Sequence, residues 1–122
     1  MRGCYIYCLY STGDGVPRYV GRTTDKVSTR FSQHVTNALE KRPGPLYDWM
    51  RDVFRSDEDV GYHILQLGIV PADLDMFEQY WIDQFAGLLN TVGKRPRNQH
   101  SPVAQQVIAA IQRSLQPPVP QG

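Results

Sequence analysis

The chain has 122 residues, 41% hydrophobic and 11% aromatic, with a formal net charge of +1. That length suits one domain around a small core. The near-neutral balance excludes a broad attractive field, so any nucleic-acid binding must rest on local basic patches. No run approaches about 18 consecutive apolar residues, which argues against a membrane-spanning helix.

Gly3 to Ser11 alternates and is rich in Tyr, Ile and Cys, the pattern of a strand. Cys4 and Cys8 share it, roughly 13 Å apart along the strand, too far to form a disulfide. They read as buried thiols in a reducing, cytoplasmic setting, and the N-terminus shows no signal-peptide h-region. Thr12-Gly13-Asp14-Gly15 marks a turn, and Val16 to Arg22 is the returning strand of a hairpin. A helix is predicted from Lys26 to Lys41, closed by Arg42-Pro43-Gly44-Pro45. Leu46 to Arg55 predicts a short helix with Tyr47, Trp49, Met50, Val53 and Phe54 as its apolar content. Ser56-Asp57-Glu58-Asp59 reads as an exposed acidic loop, and Val60 to Gly68 as a third strand. Pro71 sits in the first turn of the next helix, where a missing N–H costs nothing. That helix runs to Phe85 and stops before Gly87. Leu88-Leu89-Asn90 follows, then the basic loop Lys94-Arg95-Pro96-Arg97.

A final helix, Ser101 to Leu115, carries Val103, Val107, Ile108, Ile111 and Leu115 on one side. The segment from Gln116 to Gly122 contains Pro117, Pro118 and Pro120 and reads as a disordered tail or linker. The expected class is α+β: a small three-stranded, mainly antiparallel sheet flanked by helices, with an extra C-terminal helix. Residues 1–100 form the domain. Residues 101–115 pack on it or build a dimer interface, and 116–122 are the tail.

Three places carry candidate chemistry. At 100° per residue, Glu78 falls among Leu74, Trp81, Ile82 and Phe85, where a carboxylate is partly desolvated and needs a partner. That partner is either a core arginine or a metal ion. In the hairpin, Tyr5 and Tyr7 share one face of the first strand. Gly21 leaves space beside Tyr19 for a ligand to approach the backbone. Aromatic cross-strand packing is the competing explanation. On the next helix, Arg30, His34, Asn37 and Lys41 form one stripe at four- and three-residue spacing, which suits either phosphate contact or a solvated face.

Taken in order, these pieces resemble the GIY-YIG nuclease family. Tyr5-Ile6-Tyr7, eleven intervening residues, and Tyr19-Val20-Gly21 are similar to its signature. Arg30-Phe31-Ser32-Gln33-His34 resembles its Arg-x-x-x-His, Glu78-Gln79-Tyr80-Trp81-Ile82 its Glu-x-x-Trp-Ile, and Leu88-Leu89-Asn90 its closing Leu-Asn. The first glycine of the signature is replaced by Tyr5. An alternative register, Gly3-Cys4-Tyr5, restores it and makes Tyr5 the active tyrosine, whereas the spacing to Tyr19 favours Tyr7.

The resemblance implies a metal-dependent endonuclease leaving 5′-phosphate and 3′-hydroxyl ends on DNA, with RNA as the other possible substrate. Glu78 would bind one Mg²⁺ or Mn²⁺ ion and Arg30 would grip the phosphate. Tyr7 would be the general base, its phenolate favoured by the arginine and the metal. Tyr19 would orient that group or the water. His34 would hold the water or relay a proton, and Asn90 would anchor the loop beside the Glu78 helix. Arg18, Arg22, Lys41, Arg42, Lys94, Arg95 and Arg97 are the expected backbone contacts. Specificity would come from loops, a homodimer or a partner protein. The rival reading is a nucleic-acid-binding module without turnover.

Overall fold

The computed structural model describes residues 3–90 and 102–115. Strand β1 (Cys4–Ser11) and β2 (Pro17–Thr23) form the hairpin. Helices α1 (Val27–Leu39) and α2 (Pro45–Arg55) follow, then β3 (Val60–Ile69). A 3-10 turn, Pro71–Asp73, leads into α3 (Leu74–Gln84), and α4 (Pro102–Leu115) comes last. The sheet order is β2-β1-β3 with both pairings antiparallel, so the class is α+β.

The hairpin turns at Gly15, whose φ of 69° lies in the left-handed region open to glycine. Its N–H donates to the Ser11 carbonyl at 2.8 Å. β1 is the central strand, helices pack on both faces of the sheet, and its alternating side chains divide between two core clusters. Cys4, Ile6 and Cys8 join Val20, Leu74, Ile82, Phe85, Ala104 and Ile111 on the side of α3 and α4. Tyr7 and Leu9 join Val27, Ala38, Met50 and Val53 on the side of α1 and α2. Each fully buried Ile or Leu here contributes about 1.5–3 kcal/mol. Both cysteines are free and buried, as their spacing requires.

Two boundaries and the facing of one helix differ from expectation. α1 stops at Leu39, because Lys41 takes a φ of 61° and its N–H turns back to the Ala38 carbonyl. A left-handed residue just past the end is a common helix stop. Lys41 therefore leaves the stripe of Arg30 and His34. Pro71 opens a 3-10 turn rather than the α-helix itself. In α4 the inward positions are Ala104 and Ile111, with Val107, Ile108 and Leu115 packed beside them, whereas Val103 is exposed. The apolar side of α4 is thus spent in the chain's own core. Lys94, Arg95, Arg97 and the proline-rich tail lie outside the described residues. Among the described residues no helix is long and apolar enough to cross a membrane.

Candidate active site

The site is built where β2, α1, the first turn of α2, and α3 meet. Tyr7 pairs across the hairpin with Gly21, and Leu9 with Tyr19. Tyr7 and Tyr19 therefore stand side by side on the α1 face, with ring centroids 6.4 Å apart. From α1, His34 closes against both rings, at 6.0 Å from Tyr7 and 5.6 Å from Tyr19. A cavity of about 380 Å³ opens beside them, and its lining includes Tyr19, Arg30, His34, Tyr47, Glu78 and Asn90. Four of the five residues expected to act in catalysis thus face one space, and the fifth, Tyr7, stands behind it.

Tyr7 is fully buried, and its hydroxyl lies 2.7 Å from His34 Nε2. This contact distinguishes it from Tyr5, which is only half-buried and pairs with Thr23 on the hairpin. The space expected beside Gly21 is not left for a ligand. A Cβ there would lie 2.4 Å from the Tyr7 hydroxyl oxygen and 2.8 Å from Tyr19 Cε2. The glycine makes room for the protein's own phenols.

Burial also reverses one expected effect. Desolvation pushes the Tyr7 hydroxyl well above the usual phenol range, Tyr19 reinforces this, and the charge and hydrogen bonding of Arg30 oppose it without prevailing. Tyr19 is raised too, first by burial, with Arg30 opposing. Both phenols are neutral at physiological pH in the free protein, so Arg30 alone does not produce a phenolate.

His34 is buried, and its pKa is lowered to about 4 by desolvation and then by the charge of Arg30. It is a neutral imidazole at pH 7. The stripe on α1 is therefore not cationic along its length: Arg30 carries the charge, and Asn37 serves another purpose. His34 Nδ1 lies 3.3 Å from the Tyr47 hydroxyl, which also accepts a hydrogen bond from Asn37 Nδ2 at 3.0 Å.

Tyr47 has no role in the sequence reading beyond the apolar content of a short helix. The available signal was its spacing to Met50 and Phe54, which sets a phenol on the inward side of α2.

Glu78 is half-buried on α3. Desolvation raises its pKa, the charge of Arg22 opposes this, and Asp75 adds to it. Among the described residues it makes no ion pair, because Arg22 bonds to Asp75 instead. The alternative of a core arginine partner is therefore not realised among them. No group of three or more His, Cys, Asp or Glu side chains converges among the described residues.

Asn90 anchors the segment that follows the Glu78 helix, and its partner is β2. Its side-chain amide spans the outer edge of β2: Oδ1 accepts from the Val20 N–H at 3.0 Å, and Nδ2 donates to the Val20 carbonyl at 2.7 Å. The Leu89 N–H reaches the Arg18 carbonyl. Asn90 thus holds the segment after α3 against the strand between Tyr19 and Gly21.

The proposed backbone contacts divide. Arg18 pairs with Asp14 at 3.4 Å and borders a different depression, near Trp49 and Gly87. Arg22 pairs with Asp75 and lines a cavity next to the first, with Arg30 on the wall common to both. Lys41 and Arg42 are exposed and line neither.

Comparison with protein families, curated proteins and solved structures returns no match for this chain.

Proposed function

We propose that the chain is a divalent-metal-dependent endonuclease of the GIY-YIG type, hydrolysing DNA phosphodiester bonds to 5′-phosphate and 3′-hydroxyl ends. One observation carries this reading. An arginine, a tyrosine, a neutral histidine and a carboxylate without an ion-pair partner among the described residues line one cavity. A carboxylate left partly desolvated and unpaired is costly unless a cation is its intended partner.

The oxygens of Glu78 suit Mg²⁺ or Mn²⁺, hard cations that accept a single carboxylate and complete their shell with water and phosphate. Bound there, such an ion supplies charge stabilisation at the leaving oxygen. The chain's own residues do the rest. Arg30 carries no ion pair among the described residues, and its planar fork grips the non-bridging oxygens. Tyr19, on the cavity wall, orients the attacking water. Tyr7, behind Tyr19 and His34, would take the water's proton only as the phenolate, so its own proton must leave first when substrate and metal arrive. With its two ring nitrogens facing Tyr7 and Tyr47, His34 serves Tyr7 rather than the water. Asn90 keeps β2, and so Tyr19, in place.

The burial that keeps both phenols neutral favours a second reading, a nucleic-acid-binding module without turnover. One experiment separates the two. The protein is incubated with single- and double-stranded DNA and RNA in Mg²⁺, Mn²⁺ or EDTA, and the ends are analysed. Metal-dependent cleavage to 5′-phosphate ends that is abolished in Glu78→Ala supports the nuclease. Binding without cleavage under every condition supports the module, and neither binding nor cleavage removes both.

A further inference from the structure

We propose that Tyr47, backed by Asn37, is a positioning residue that fixes His34 in the neutral tautomer carrying its hydrogen on Nε2, so that a donor points at the Tyr7 oxygen. The role in turnover rests on the nuclease reading above, whereas the tautomer itself does not.

Asn37 stands one turn after His34 on α1, and Tyr47 comes from the first turn of α2. Asn37 Nδ2 donates to the Tyr47 oxygen at 3.0 Å. An amide nitrogen has only hydrogens to offer, so this contact uses acceptor capacity on Tyr47 and leaves its O–H to donate. The acceptor facing that hydroxyl is His34 Nδ1, at 3.3 Å. A neutral imidazole that accepts at Nδ1 carries its hydrogen on Nε2. That hydrogen points along the 2.7 Å contact to the Tyr7 oxygen.

The groups facing His34 are Tyr7, Tyr19 and Tyr47 by ring contact and Arg30 by charge. Among the described residues no carboxylate bonds to the ring, and Glu78, on the wall of the same cavity, is not among the groups that shift its pKa, so the direction of the donors decides its tautomer.

The consequence falls on Tyr7. Arg30 already acts on this phenol by charge and hydrogen bonding. A second donor at the same oxygen favours the charged form that a proton acceptor must pass through. In the opposite tautomer, Nε2 would accept the Tyr7 hydrogen and hold the residue as a phenol. Tyr47 and Asn37 thus choose between a Tyr7 prepared to lose its proton and one that keeps it.

The test is ¹⁵N-resolved NMR of the histidine rings in the full chain, with His34 assigned by His34→Gln. The wild type is expected to show His34 with hydrogen on Nε2. Asn37→Asp keeps the shape of Asn37 but replaces a donor with an acceptor. The Tyr47 hydroxyl then turns to the carboxylate, and the His34 hydrogen is expected to move to Nδ1. Tyr47→Phe is expected to give a mixture of tautomers. It should lower kcat on the order of tenfold with KM within twofold, a smaller loss than removal of a charged orienting group.

A wild-type His34 protonated on Nδ1, or an Asn37→Asp variant with an unchanged tautomer, overturns the proposal whatever the cleavage rates. A changed tautomer with an unchanged kcat in Tyr47→Phe overturns its catalytic half. A wild type that cleaves nothing overturns the nuclease reading alone, and the NMR result still decides what Tyr47 does to His34.

Discussion

Gly21→Ala tests whether the two phenols pack as described, independently of any activity. The new Cβ would stand 2.4 Å from the Tyr7 hydroxyl oxygen, 2.5 Å from Tyr7 Cζ and 2.8 Å from Tyr19 Cε2, where ordinary contact begins at 3.4 Å. Tyr7 would have to retreat by about an ångström. It has nowhere easy to go, being fully buried and tied to His34 at 2.7 Å. Overpacking costs about 1–3 kcal/mol, and a lost buried hydrogen bond about 1–3 kcal/mol more. The summed effect is roughly 2–6 kcal/mol, a fall in Tm of about 10 °C or more for a domain of this size. Urea and thermal denaturation of the wild type, Gly21→Ala, Tyr7→Phe and the double variant resolve the two parts. In the Tyr7→Phe background the hydrogen bond is already gone, but the Cζ clash remains. Gly21→Ala should therefore still cost about 1–3 kcal/mol there, with a coupling of about 1–3 kcal/mol between the sites, the size of the lost hydrogen bond. A single variant within about 0.5 kcal/mol of wild type would refute the packing. So would a cost that vanishes in Tyr7→Phe.

Glu78→Gln is expected to stabilise the free protein at pH 7. The folded carboxyl has a raised pKa, so its contribution is favourable below the unfolded value and is lost as pH rises through the folded one. The gap between Glu78→Gln and wild type in denaturation midpoint should close near pH 4, and a less stable variant at pH 7 would mean that the carboxylate is structurally paired. His34 works in the opposite sense: with its folded pKa near 4, the fold binds fewer protons than the unfolded chain from pH 6.5 downward. Stability should fall across that window by on the order of 3 kcal/mol, and His34→Gln should lack this part of the slope. Tyr7→Phe should slow cleavage more than Tyr5→Phe, because Tyr7 alone of the two reaches His34; equal rate losses would return the choice of register to Tyr5. Arg30→Lys should cleave poorly, since it keeps the charge but loses the planar fork, and near-normal single-turnover rates would make Arg30 only a remote charge.

The fold was legible where burial alone decides the pattern. Successive β1 side chains point to opposite faces, both are covered, and each set of alternate residues entered the cluster its parity assigned. The boundaries that moved were set by backbone details that periodicity does not carry. Lys41 could have continued α1 by composition, yet a left-handed φ ends the helix before it. Val103 and Ala104 are adjacent on α4, about 100° apart around the helix axis, and the packing of the helix decides which of them turns inward. Ala104 is completely buried in the core cluster, a position with room for a small side chain, while Val103 faces outward.

The candidate site was legible as a set of residues but not as a set of environments. Spacing on a wheel found Glu78, and strand parity put Tyr7 and Tyr19 together, because both follow from local geometry. What the phenols experience depends on depth, which one strand cannot report. On sequence alone, Arg30 and a metal would decide the charge of Tyr7, whereas in the folded protein desolvation outweighs Arg30. A buried phenol facing a single cation stays neutral, so a site that uses it as a base needs further donors at the same oxygen when substrate arrives. His34 is the nearest such group, at 2.7 Å, and its ability to donate depends on what holds its other nitrogen. That dependence runs through Tyr47 and Asn37, on two helices joined by a turn. It is visible only when α1 and α2 are packed together, so the decisive contact lies between elements and not within any motif.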